Sequence, residues 1–199
     1  EEVRRQAWPD VRNADELHDL LLSLCLLPLT DGRELPTFAA ALIKSGRAAV
    51  ASWLVAETNG EMRAWIAAER CDLLRLCIPG IQYDPPISMP LGFVEKVSSA
   101  EEALRNIVQG WLEAIGPTTV GHLAARLGLA AAKIDAALLA LESAGAVLRC
   151  EFTVMNGAPG APRAVEWCER SLLARIHRLT LGRLRKEIEA VSAAEFMEF

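Results

Sequence analysis

Between Ser98 and Cys168 the hydrophobic period switches once, from three helical stretches to two alternating ones, and that switch restricts the fold more than any other feature of the chain. Ser98 or Ser99 caps a helix running to Ile115, in which Leu104, Ile107, Val108, Trp111 and Leu112 form one apolar stripe. Gly116-Pro117 stops it, because proline lacks an amide hydrogen and cannot continue the ladder. Thr118 or Thr119 caps a second helix to Leu127, and Gly128 makes the turn. A third helix over 131–143 turns Ile134, Leu138 and Leu141 inward. Residues 147–153 alternate as a strand, 156–163 form a Gly/Pro-rich tip, and 164–168 return as the partner strand. Three helices closed by a two-stranded hairpin is the plan of a winged helix, a helix-turn-helix with a wing.

The first part repeats that plan less completely. Asn13 with Glu16 three residues later has capping-box spacing, and Leu17, Leu20, Leu21 and Leu24 recur until Pro28. A short helix is expected over 34–45. Residues 49–55 and 62–67 flank Asn59-Gly60, the strongest short-range hairpin signal. Trp53 and Trp65 fall on those two strands and are expected to pack as a pair in the hairpin core, with base stacking as the alternative. Residues 70–77 resume a helix that Pro79 stops. Pro85, Pro86 and Pro90 make 83–92 a linker or extended crossing segment, which sets a boundary near residue 90. The expected fold is mainly α with small β-hairpins, an α+β class. It comprises a partial winged-helix-like module over 1–90 with a Trp-bearing hairpin, a winged-helix module over 91–168, and a basic amphipathic helix opening a truncated module over 169–199.

Composition narrows the function classes. Of the 199 residues 52% are hydrophobic and 24% charged, enough to bury a core and too apolar for disorder. Lys and Arg total 21 against 26 Asp and Glu, a formal charge of −5 that excludes a basic coat over the whole surface. That excess lies in residues 1–95, with 9 basic and 14 acidic side chains; residues 96–199 hold 12 of each. No apolar run approaches the roughly 20 residues of a membrane span, and no signal peptide opens the chain, so a cytoplasmic location is expected. Five scattered cysteines without a C-x-x-C pair read as buried thiols in a reducing compartment. There is no P-loop and no dinucleotide-binding glycine loop. His18, His122 and His177 lie on separate helices without metal-ligand spacing. Glu101-Glu102 and Glu187/Glu189 read as helix-end and helix-surface carboxylates. No catalytic, cofactor or metal residues are assigned.

The candidate nucleic-acid contacts are cationic. Arg170, Arg175, Arg178, Arg183, Arg185 and Lys186 lie within 17 residues, and arginine suits bidentate phosphate contact. Leu173, Ile176, Thr180, Leu184 and Ile188 share the other face of that helix. Three readings stand for the basic face: phosphate contact, packing against a neighbouring module, or a solvated surface offset by Glu169, Glu187 and Glu189. Arg149 and Arg163 flank the wing tip as further phosphate contacts. The third helix turns Ala132, Lys133, Asp135, Ala136, Ala137 and Ala140 outward, a set that cannot read base edges and that lets another element approach closely.

The last third carries a resemblance. Glu166-Trp167-Cys168-Glu169-Arg170, Leu172-Leu173-Ala174-Arg175-Ile176-His177-Arg178, and Val191-Ser192-Ala193-Ala194-Glu195-Phe196-Met197 resemble the C-terminal region of bacterial large helicase-related (Lhr-type) ATP-dependent helicases. Ala7-Trp8-Pro9-Asp10 and Trp65-Ile66-Ala67-Ala68-Glu69-Arg70 resemble the stretch after their helicase core. The resemblance implies a superfamily 2 translocase that uses ATP and Mg to unwind DNA or RNA:DNA duplexes in repair. It implies a C-terminal region like the winged-helix array of an alkylated-base DNA glycosylase family, with a capacity for homo-oligomerisation. The motor motifs would lie upstream, and the chain reads as a piece of something larger. No residues match that glycosylase family's glutamine pair, so catalysis is not carried over. Ser171 and Ala190 replace an expected Arg and Pro. Only Arg175, His177, Arg178, Arg183 and Arg185 carry over by motif. An accessory segment holding nucleic acid for a motor ranks first, a structural or oligomerisation module second, and a glycosylase-like catalytic unit last.

Overall fold

A computed structural model describes residues 8–32, 35–55, 57–94, 96–150 and 164–187. Asn13 opens helix α1 (Ala14–Leu24) with a reciprocal cap: its side-chain oxygen accepts from Glu16 N at 2.8 Å and its amide donates to Glu16 Oε1 at 3.0 Å. Cys25 then turns with φ 65°, and the two-residue strand β1 (Leu27–Pro28) follows. Helix α2 (Pro36–Lys44) begins at proline, whose fixed φ suits the first helical turn, and buries Ala39 and Leu42. Strands β2 (Ala48–Leu54) and β3 (Glu61–Ala67) form the expected hairpin, with Asn59 at φ 51° in the turn. A 3-10 turn (Ala68–Arg70) leads into α3 (Cys71–Cys77).

Two strands were not expected. Strand β4 (Gln82–Asp84) occupies the start of the proline-rich crossing segment and pairs with β2, while β1 pairs with β3. The sheet runs β1-β3-β2-β4. Its register also corrects the tryptophan pair. Trp53 lies opposite Met62, and Trp65 lies opposite Val50. Because directly opposed residues share a face and successive residues alternate, the two indoles stand on opposite faces of the sheet. Both are buried, each in its own surroundings.

The second part follows its expected order. Helix α4 (Ala100–Ile115) is capped by Ser99, α5 (Val120–Leu127) by Thr119, and Gly128 closes α5 in the left-handed region at φ 60°. Helix α6 (Ala131–Ser143) leads to β5 (Val147–Cys150), which pairs antiparallel with β6 (Glu166–Glu169) before α7 (Arg170–Glu187). The wing tip with Arg163, and everything after Glu187, lie outside the described residues. With seven α-helices and two small antiparallel sheets among the described residues, the class is α+β.

One buried cluster draws on both parts, with Leu17, Leu21 and Leu73 joined to Ile107, Trp111 and Leu138. Helices α1 and α4 meet at Gly110, where a Cβ would collide with the carbonyl oxygen of Ser23. Trp53 Nε1 donates to Gly128 O at 2.9 Å, and Arg126 Nε donates to Asp31 Oδ2 at 2.8 Å.

Candidate nucleic-acid interface

Helix α7 starts from a carboxylate. Glu169 accepts from Ser171 N at 2.9 Å and from Leu172 N at 2.8 Å, placing a negative charge where the helix exposes its first amides. Burial works to raise the Glu169 pKa, but the hydrogen bonds from Ser171, Leu172 and Arg170 together outweigh it and hold the carboxyl below its ordinary value. Leu172 is buried, and Leu173, Arg175 and Ile176 are half-buried. From His177 to Arg185 every residue whose side chain is described is exposed.

That exposure separates the basic residues. Arg170, Arg178 and Arg185 are exposed, and Arg175 is half-buried. At 100° per residue Arg178 and Arg185 point within about 20° of each other, about 10.5 Å apart along the axis. Arg183 and Lys186 belong to the same helix, with their side chains outside the described set. Arg149 stands apart from this row: its Nε lies 3.0 Å from Glu142 Oε1, and its guanidinium lies 5.7 Å from the Trp167 ring centroid. Ion pair and ring together share its charge locally.

The apolar face expected to run along α7 is covered only near its start. Leu179, Leu181 and Leu184 are exposed along with Thr180. On α6, Ala137 is buried, against expectation. With Ala132, Ala136 and Ala140 it lines a groove of about 560 Å³ against Leu104 of α4, over Cys77. Lys133 at its rim reaches Cys77 O at 3.5 Å.

Two of the three histidines are placed as structural partners. His18 is buried with Nε2 3.1 Å from Glu69 Oε2, and His122 Nδ1 lies 3.2 Å from Thr118 Oγ1. Among the described residues no cluster of His, Cys, Asp or Glu has metal-binding geometry. Burial pushes the Cys71 thiol up to about 11 and the Cys77 thiol up to about 12.

One polar surface escaped the sequence reading. Arg63, Ser52 and Gln82 are directly opposed across β3, β2 and β4, and Asp84 opposes Val50 in the next row of the same face. Arg63, Gln82 and Asp84 are exposed. The signal was the alternation of Gln82, Tyr83 and Asp84, with Tyr83 turned inward to donate to Cys71 O at 2.6 Å. Three residues in front of two prolines are too short a pattern to read as a strand.

A family model described as "DNA glycosylase AlkZ-like" matches residues 2–191. A protein of Mycolicibacterium smegmatis described as "Lhr helicase/ probable uracil glycosylase" is 29% identical over 136 residues, 68% of this chain. The chain spans only 8% of that protein's length. No solved structure matches. No helix among the described residues is long and apolar enough to cross a membrane.

Proposed function

The chain belongs to the AlkZ-like DNA glycosylase family, and from that premise we propose that it is a DNA-holding module that grips the phosphate backbone with helix α7. The observation that carries this reading is the exposed pair Arg178 and Arg185, aligned on a helix standing clear of the body from His177 onward, with Arg170 exposed at the start of the same helix. Guanidinium groups pair bidentately with phosphate, and each contact releases counterions from the duplex. The module serves as an accessory winged-helix segment of a longer, cytoplasmic ATP-dependent helicase active in DNA repair, whose motor supplies ATP and Mg chemistry. Resemblance to Lhr-type helicases supports that finer assignment. Fluorescence anisotropy with single-stranded and forked DNA at low and moderate salt tests it. Salt-sensitive binding to either is expected, and absence of binding to both contradicts the reading.

Family membership also favours a second reading, base excision, which the residues alone ranked last. Hydrolysis of an N-glycosidic bond breaks C1′–N, the base leaving with the bonding electron pair and then taking up a proton, while the hydroxyl of water adds to C1′; a carboxylate serves by stabilising the cationic sugar and taking the water's proton. On the polar sheet face that carboxylate is Asp84, beside the Arg63–Ser52–Gln82 row. Under this reading the chain releases uracil from a uracil-bearing duplex and Asp84→Asn abolishes the release. Release by the variant at the wild-type rate removes Asp84 from that role.

A further inference from the structure

We propose that the groove between α4 and α6 is a binding site for an amphipathic carboxylate, an apolar chain ending in one anionic head. It shares no residue with helix α7 or the polar sheet face, so it stands or falls independently of how the chain holds DNA. The groove forms where the two parts of the chain meet. Leu104 comes from α4, Ala132, Ala136, Ala137 and Ala140 come from α6, and Cys77 closes the floor from the end of α3. Its volume of about 560 Å³ falls within the roughly 300–1,000 Å³ of small-molecule sites. None of these side chains carries a hydroxyl, amide or charge. The Cys77 thiol is turned to Leu73 O and Leu74 O, at 3.6 Å each. The interior therefore offers a ligand apolar burial and no hydrogen bond, which selects an apolar body.

The charge sits at the rim. Lys133 donates to Cys77 O at 3.5 Å, which occupies one of its three ammonium hydrogens and leaves two for a ligand. Arg105 is exposed and forms no hydrogen bond or salt bridge among the described residues. A guanidinium binds a carboxylate bidentately. Glu101 is the one acidic side chain of the lining, and it is engaged along its own helix. Its own amide and the Ser99 hydroxyl donate to it and hold its carboxyl below the ordinary value, with Arg105 one turn on adding to the effect. Two cations against one engaged carboxylate leave the rim positive, so the head group is an anion. From Ala132 to Ala140 the α6 wall runs about 12 Å. Two turns of a partner helix would fit there, short of the roughly 800 Å² a side of a stable protein contact, which disfavours a protein occupant. A medium-length acyl chain suits that length.

The test titrates the whole chain, its alanine methyls isotopically labelled, with decanoate below its micelle concentration and follows the methyls by NMR. Saturable shifts are expected at Ala132, Ala136 and Ala140. Each CH₂ removed from the acyl chain is expected to weaken binding about two- to fourfold. Decyltrimethylammonium, with the same chain and the opposite charge, is expected to bind more weakly than decanoate. Arg105→Glu is expected to weaken decanoate about three- to tenfold, and Ala136→Phe, which fills the groove, to remove the shifts at Ala132 and Ala140. Both positions are exposed, so both variants are expected to keep the wild-type melting temperature. Should Ala136→Phe fail to fold, Arg105→Glu and the cationic probe decide the point. No saturable shift at these methyls, cation binding as tight as that of decanoate, or undiminished binding by a folded variant overturns the proposal.

Discussion

Trp53 and Trp111 are both buried, yet their indole N–H groups are treated differently. Trp53 Nε1 bonds Gly128 O across 75 residues of sequence, whereas Trp111 Nε1 has no partner among the described residues. Trp53→Phe is therefore expected to destabilise by about 1 kcal/mol through the hydrogen bond alone. Trp111→Phe carries no such loss, and urea unfolding of the two variants checks the difference. Gly110 is more demanding, because a methyl there meets the Ser23 carbonyl rather than a movable side chain. Gly110→Ala is expected to lose about 1–3 kcal/mol in the same measurement. The raised thiols make a chemical prediction: Cys71 and Cys77 stay unlabelled by iodoacetamide at about pH 8 in the native protein, since the thiolate is the nucleophile. Labelling of either, read by peptide mass spectrometry, contradicts their burial. At this scale the caps were legible, because Asn13, Ser99 and Thr119 act on amides three residues away. The faces of Trp53 and Trp65 were not, because a side chain's face in a hairpin depends on register, which the turn and the partner strand set together.

The helices and the hairpin strands declared themselves, and the two shortest strands did not. Helices α4 and α6 carry three or more turns of apolar repeat and match their expected spans. Strands β1 and β4, at two and three residues, are held by β3 and β2 and have no period of their own. Helix α7 is an intermediate case. Its existence followed from Leu173 and Ile176, but Leu184 on the same stripe stays exposed, because periodicity reports a face and not what covers it. The Glu169 cap gives α7 a pH response. A carboxyl whose pKa is depressed in the folded state stabilises above its ordinary value of 4.5, and that contribution is lost as pH falls through the depressed value. Wild-type helicity at 222 nm is expected to fall below about pH 4.5 by more than that of Glu169→Gln, which removes the titrating cap. Parallel curves for the two proteins contradict this role.

Across the whole molecule, charge and packing divide differently. The net −5 belongs to residues 1–95, yet the packing of α1 and α3 against α4 binds the acidic part to the neutral one through a shared core. Arg126 reinforces that junction, with its guanidinium 5.5 Å from the Trp8 ring centroid, 4.8 Å from that of Trp111, and bonded to Asp31. Asp31 is 95 residues away from Arg126 in sequence, a separation at which no local pattern could announce the pair. The exposed Arg170, Arg178 and Arg185 of α7 are the residues for which the DNA-holding account makes its strongest claim. The direct test is the salt dependence of duplex binding by the wild type and by Arg170→Ala/Arg178→Ala/Arg185→Ala, plotted as log K against log salt. Each phosphate contact contributes about 0.9 to the slope, so the triple variant is expected to bind more weakly and to lose about 2–3 from it. An unchanged slope and affinity in a folded triple variant would contradict the account.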